Sequence, residues 1–247
     1  MSHMPGGLIY KRYKNIKRLR GGTFDPYFAD LSFLFQPDTP SAVEIPDSST
    51  FGTPIPIVSG GVIDTTWELF GLPTYRGTQI MPNVGTLTSV GANSRFQRKA
   101  GEALTVEGWI RRGVVPNTAP SGTFFDWQNP LGQNFLSLRL SSNLGDLQFL
   151  NGTTMPTNIA TLAINTDYFY QITIQTDGTL TFDLDTIEIY ASTGSALAND
   201  GVWSFKVGGI FAGVNATGST WFVGPMRVTK NVARPRGSIP TVPFPTQ

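Results

Sequence analysis

From Phe24 onward, apolar residues recur at every second position. In the stretch from 27 to 35, Tyr27, Ala29, Leu31, Phe33 and Phe35 share one face, and Phe28, Asp30, Ser32 and Leu34 take the other. That alternation predicts a strand with one strongly apolar side. The run "QPDTP" stops it, and residues 36–63, rich in Pro, Ser and Thr, read as loop with short strands. Alternation returns in "ALTVEGWIRR", with Leu104, Val106 and Ile110 against Thr105, Glu107, Trp109 and Arg111. It returns again in "FLSLRLSS", with Leu136, Leu138 and Leu140 on one side, and in "GDLQFLNG", which ends at an Asn-Gly turn.

The clearest signal lies between 168 and 190. "YFYQITIQ" reads as a strand, and Asp177-Gly178 as a tight turn that tolerates positive φ. Leu180, Phe182 and Leu184 then face one way, while Ile187 and Ile189 are out of phase with them. A turn or bulge at Asp185-Thr186 accounts for the slip, so the region is a three-strand meander. "VWSFKVGGIF" and "STWFVGPMRVTK" supply the last strands. Many short strands, turn signals and little helical periodicity predict an all-β, two-sheet antiparallel sandwich. No fixed repeat points to a propeller or β-helix.

Composition agrees. Of 247 residues, 40% are hydrophobic and 12% aromatic, while only 14% are charged, below the usual share of about 25%. Thr, Ser, Asn, Gln and Gly must therefore build the polar surface, which suits strands. There is no cysteine, so disulfides and thiolate metal sites are excluded. No apolar run approaches the ~20 residues of a membrane helix, and no h-region follows the basic start, so no export signal is read.

The net charge of +1 conceals a division. Residues 1–22 carry Lys11, Arg12, Lys14, Lys17, Arg18 and Arg20 and no acid. The remaining twelve basic and seventeen acidic residues leave the body at −5. The chain divides into a basic, extended N-terminal arm (1–22), a sandwich (23–236) and a proline-rich tail (237–247).

Four stretches, taken in order, resemble the laminin-G-like branch of the concanavalin-A-like lectin/glucanase jelly rolls, in the form found in bacteriophage structural proteins. They are "FDPYFADLSFLF", "ALTVEGWIRR", "YFYQITIQTDGTLTFDLDTIEIYAS" and "GPMRVTKNVARPRGSIPTVPFPTQ". The resemblance implies that the first and last strands pair in one sheet, and that the tail follows as a strap. Pro225-Met226 stands where that group carries an acidic pair, and Tyr170-Gln171 departs from its Trp position. The resemblance further implies a virion-surface protein in multiple copies, with capsid or tail proteins as partners and host-surface glycans as a ligand class.

Candidate chemistry is sparse. The single histidine, His3, lies in the arm, so a Ser-His-Asp triad has no base in the body. Glycoside hydrolysis needs two carboxylates across a cleft. Asp183, Asp185 and Glu188, or Glu102 and Glu107, are the nearest sets, and they read as solvated turn and strand-surface acids, with a place on the concave face of a sheet as the alternative for Glu107, which has no obvious partner there. Asp126, Asp146, Asp167 and Asp177 are scattered turn acids, so no cofactor is expected and a rim calcium ion is not favoured. Trp67, Tyr75 and Trp127 fall in irregular segments and are the candidates for stacking on sugar rings. Trp109, Trp203 and Trp221 fall in strands, with Trp109 assigned to the opposite face of its sheet. The six basic residues of the arm are expected to dock on an acidic protein surface, ahead of nucleic acid, which lacks a base-reading motif here. The expectation is a non-enzymatic structural protein of a phage. A free-standing carbohydrate-binding module is the alternative, and a glycosidase ranks below both.

Overall fold

The computed structural model describes residues 25–57, 61–78, 86–88, 95–114, 122–128, 134–141, 145–152, 157–193, 204–208 and 220–246. The arm and Trp203 lie outside them. Among the described residues nearly everything regular is antiparallel strand, and the helical content is one 3₁₀ turn, Phe28–Asp30.

The strands are β1 (Leu31–Phe35), β2 (Glu44–Ile45), β3 (Ile55–Pro56), β4 (Gly61–Leu69), β5 (Leu72–Thr78), β6 (Thr86–Thr88), β7 (Leu104–Arg112) and β8 (Thr123–Gln128). They continue as β9 (Asn134–Leu140), β10 (Asp146–Asn151), β11 (Thr157–Thr161), β12 (Asp167–Ile174), β13 (Leu180–Leu184), β14 (Ile187–Ser192), β15 (Ser204–Val207) and β16 (Thr220–Lys230). An eight-stranded sheet runs β14-β13-β12-β7-β16-β5-β4, with β1 also on β16. A six-stranded sheet runs β11-β10-β9-β8-β15-β6. The main core lies between them and includes Phe33, Phe35, Tyr75, Leu104, Val106, Ile110, Trp127, Tyr170, Trp221 and Val228. This is the two-sheet β-sandwich that the alternation predicts.

β1 pairs with β16 as expected, with Phe33 opposite Val228 and Phe35 opposite Met226. The predicted strand is shorter than its apolar pattern, because residues 28–30 form the 3₁₀ turn. A register irregularity between Leu31 and Phe33 also moves Leu31 out of phase. Leu31 and Leu34 therefore point to the outer face of the sheet, while Phe33 and Phe35 enter the core.

β16 holds the large sheet together. Trp221–Val223 pairs with β5, Met226–Thr229 with β1, and both stretches pair with β7. Val223 faces Ile110 and Met226 faces Gly108, so Gly224 and Pro225 form a bulge against β7. Proline donates nothing to a ladder, and a bulge is where a strand tolerates it. Gly108 is required opposite: a Cβ there would lie 2.6 Å from the Met226 Cβ.

β12, β13 and β14 form the predicted meander. In the Asp177-Gly178 turn only Gly178 uses positive φ (86°), while Asp177 accepts a hydrogen bond from the Thr179 amide at 2.8 Å. Asp185 and Thr186 are both at positive φ (48° and 71°), the pattern of a type I′ turn. The phase slip has a second source, a register shift between Phe182 and Asp183.

Candidate functional site

The three aromatic candidates for ligand contact sit in strands, not loops. Trp67 is on β4, Tyr75 on β5 and Trp127 on β8. Their exposures are 4%, 0% and 0%, so none presents a ring face to solvent. The hairpin of β4 and β5 was hidden because its turn is Phe70-Gly71, both at positive φ (57° and 73°), where Asn-Gly or Asp-Gly would have announced it. A register shift between Asp64 and Glu68 then sends Ile63 inward and Trp67 to the outer face.

The polar groups that the fold does gather lie on the outer face of the eight-stranded sheet. Register aligns them in rows. Arg227 is opposite Glu107, Glu107 opposite Gln171, Gln171 opposite Asp183, and Asp183 opposite Glu188, a polar row across five strands. Beside it, Thr229, Thr105, Thr173 and Thr181 form a second row, and Trp109 faces Phe169 in a third. Glu107 (4% exposed), Gln171 and Asp183 (both 3%) are buried. This corrects the reading of Glu107 and Asp183 as solvated surface acids.

They are buried because the chain returns over them. After β16, Asn231 takes positive φ (62°) and donates its amide to the Ala103 carbonyl. The segment then crosses the strands. The Thr105 hydroxyl donates to the Val232 carbonyl at 3.0 Å and accepts from the Arg234 amide at 2.9 Å. Gln171 Nε2 donates to the Pro235 carbonyl at 3.1 Å. Farther on, Phe244 is 2% exposed and packs on Trp109, with ring centroids 5.1 Å apart. Leu31, Leu34, Trp67, Phe169 and Phe222 complete that outer apolar cluster.

Each acid under the segment meets an arginine. Asp25 receives Arg234 through both terminal nitrogens (3.0 and 2.8 Å) and Arg227 Nη1 at 2.8 Å, while the Tyr27 amide donates at 2.9 Å. Arg227 Nε donates to Glu107 Oε1 at 2.6 Å. Arg236 pairs with Asp183 and reaches Glu188 Oε2 at 2.7 Å. Burial alone would raise the Asp25 pKa; the bonds from Arg234 and the Tyr27 amide, with the charges of Arg234 and Arg227, outweigh it and bring it below the ordinary value. The Arg236 pKa is raised, chiefly by its bond to Asp183. A general acid needs the opposite displacement of a carboxyl, so this arrangement holds a segment in place better than it transfers protons.

The scattered turn acids are not brought together. Asp126 pairs with Arg139 at 3.5 Å, Asp146 accepts from the Thr161 hydroxyl, and Asp167 lies 3.5 Å from Arg111. Among the described residues no group of three or more His, Cys, Asp or Glu side chains is placed to hold a metal ion. No described helix is long and apolar enough to cross a membrane. Sequence reasoning missed Asp25, Arg227, Arg234 and Arg236 as a set. Their one signal was polar alternation in strands that otherwise read as core, which marks a face covered by something other than water.

No protein-family model matches the chain, and no curated protein matches it. Solved structures do. The binding domain of botulinum neurotoxin DC, in complex with rat synaptotagmin II, matches with a TM-score of 0.58 and 11% identity over 82% of this chain and 48% of that one. A structure described by the dependence of botulinum neurotoxin type C cell entry on two ganglioside molecules matches at 0.58 and 12%, over 82% and 48%. Trypanosoma rangeli sialidase in complex with the inhibitor DANA matches at 0.56 and 12%, over 82% of this chain and 31% of that one. The chain thus spans about half or less of the length of these structures. At such identities the likeness establishes the fold alone, a two-sheet β-sandwich.

Proposed function

We propose that this chain is a non-catalytic, lectin-like β-sandwich of a bacteriophage virion, displayed on the particle and presenting a glycan-binding surface to the host. The observation that carries the non-catalytic part is the outer face of the large sheet. Its buried carboxylates, Asp25, Glu107 and Asp183, are each held by arginine, and residues 231–246 lie across them. A hydrolase of glycosides needs one carboxyl free to donate and one free to attack or activate water. The virion setting is supported by the resemblance of the four stretches to phage structural proteins. The glycan class is supported by the neurotoxin neighbours, one described through gangliosides and another as a binding domain in complex with SialylT. On this reading, sugar contact falls to residues other than Trp67, Tyr75 and Trp127, and the basic arm docks on the particle.

The second reading, a free-standing carbohydrate-binding module, is favoured by the match to isolated binding domains. Two measurements separate the readings. The full chain, applied to an array that includes sialylated glycans and to fluorogenic glycosides, should bind without turnover. Deleting residues 1–22 should then abolish incorporation into particles while glycan binding persists. Turnover that vanishes in Glu107→Gln would defeat the non-catalytic reading, normal incorporation of the shortened chain would refute the docking role of the arm, and glycan binding by a full chain that never enters particles would favour the free module.

A further inference from the structure

Residues 231–246 leave one row of the large sheet's outer face partly open. Register sets Arg76 of β5 opposite Phe222 of β16, Phe222 opposite Arg111 of β7, and Arg111 opposite Asp167 of β12. The side chains of Arg76, Arg111 and Asp167 are 29%, 24% and 41% exposed, whereas Glu107, Gln171 and Asp183 are buried. Arg76 is committed, because its Nε donates to Asp64 Oδ2 at 2.6 Å. Arg227, Arg234 and Arg236 likewise donate to carboxylates. Arg111 does not. Among the described residues it makes no hydrogen bond: its Nη1 lies 3.5 Å from Asp167 Oδ1, and its buried Nε has no partner. Its flat face is nevertheless held. The guanidinium carbon lies 5.6 Å from the centroid of the Trp67 ring, and Trp67 packs edge-on against Phe222 at 5.7 Å.

We propose that Arg111 anchors a binding subsite for a sugar acid, with its guanidinium receiving the carboxylate of a sugar laid on the open row. The inference rests on the glycan reading above and gives that reading a class of sugar and a place. A guanidinium stacked on an aromatic ring keeps its edge free, and that edge matches a carboxylate with two parallel hydrogen bonds. The terminal nitrogens, rather than the buried Nε, are the donors available for it. Trp67 fixes the guanidinium plane, so little freedom is lost on docking. Trp67 is itself buried and acts as a positioning residue. Asp167 selects further. A carboxylate side chain accepts hydrogen bonds and donates none, so Asp167 disfavours a bare anion beside it. A sugar ring brings hydroxyl donors for Asp167 together with the carboxylate for Arg111. The pair therefore favours a sugar acid over a simple anion.

The test is isothermal titration of the full chain with 3′-sialyllactose against lactose, and with glucuronic acid against glucose, so that the two sources of a sugar carboxylate are told apart. At least one acid should bind about ten- to a hundredfold more tightly than its neutral counterpart, the worth of a charge-assisted pair. Acetate at the same concentration should not displace it. Arg111→Gln should remove the preference and leave acidic and neutral sugars equal. Arg111→Lys, which keeps the charge without the fork, should lose most of it. An unchanged preference in folded Arg111→Gln overturns the site, and displacement by acetate overturns the sugar-acid class. Equal binding of acidic and neutral sugars by the unaltered chain overturns both. These three results leave the glycan reading standing. Binding of no glycan, here or on the array, defeats that reading and this inference with it. Should Arg111→Gln fail to fold, Arg111→Lys decides, since a full preference there overturns the bidentate contact.

Discussion

At the scale of single residues, two side chains distinguish support from function. Tyr75 lies in the main core against Gly61 and Gly208, its hydroxyl buried and without a hydrogen-bond partner among the described residues. An unsatisfied buried hydroxyl costs stability, so Tyr75→Phe should leave stability unchanged or raise it by up to about 1 kcal/mol, read from the urea midpoint. A loss above that range would mean that the hydroxyl has a partner. Arg234 is the opposite case. Removing it leaves Asp25 charged, 3% exposed and short of its main partner, so Arg234→Ala should cost about 3–5 kcal/mol. The acid side follows from sign. The Asp25 pKa in the folded chain is below its ordinary 3.8, so its contribution is complete above that value and is lost as pH falls below it. Urea midpoints should therefore drop as the pH is lowered below about 4 in the unaltered chain, with a shallower drop in Arg234→Ala. Equal slopes would remove Asp25 from the account.

At the scale of elements, legibility followed turn chemistry. The meander of β12, β13 and β14 could be read because Asp177-Gly178 and the phase slip at Asp185-Thr186 stand in the sequence. The hairpin of β4 and β5 could not, because Phe70-Gly71 carries no residue that announces positive φ, and a bulge breaks its alternation. β8 was obscured for another reason: Phe124, Phe125 and Trp127 are all buried, so burial there does not alternate. The site was less legible than the fold. The arginines of "RPR" stand in the closing stretch, but Asp25 and Asp183, their partners, are 209 and 53 residues away in sequence. The pairing of β1 with β16 brings Asp25 to them, and the register of β16, β7, β12 and β13 brings Asp183. One element-scale prediction follows from the turn at 185–186. Thr186 is β-branched at φ 71°, a conformation that strains such residues. Thr186→Gly should stabilise the chain by about 0.5–1 kcal/mol, seen as a rise in Tm. A fall in Tm would show that Thr186 has a compensating contact.

At the scale of the whole molecule, the sandwich is sealed three times. The two sheets close over the main core, β1 and β16 join the ends of the described chain in one ladder, and residues 231–246 close the outer face. The third closure bears most on function, because it fills the broadest face with the protein's own side chains. Of the aromatic residues that sequence alone would assign to ligands, Trp67 packs in the outer apolar cluster, and Tyr75 and Trp127 pack in the main core. Hydroxyl-radical footprinting of tryptophan in the full chain tests this most directly. Trp67, Trp109, Trp127 and Trp221 should be protected in the native state, and in Phe244→Ala Trp109 should gain reactivity far more than Trp127 or Trp221. Oxidation of Trp67 or Trp127 at the rate of the unfolded chain, or an unchanged Trp109 in the variant, would contradict the account.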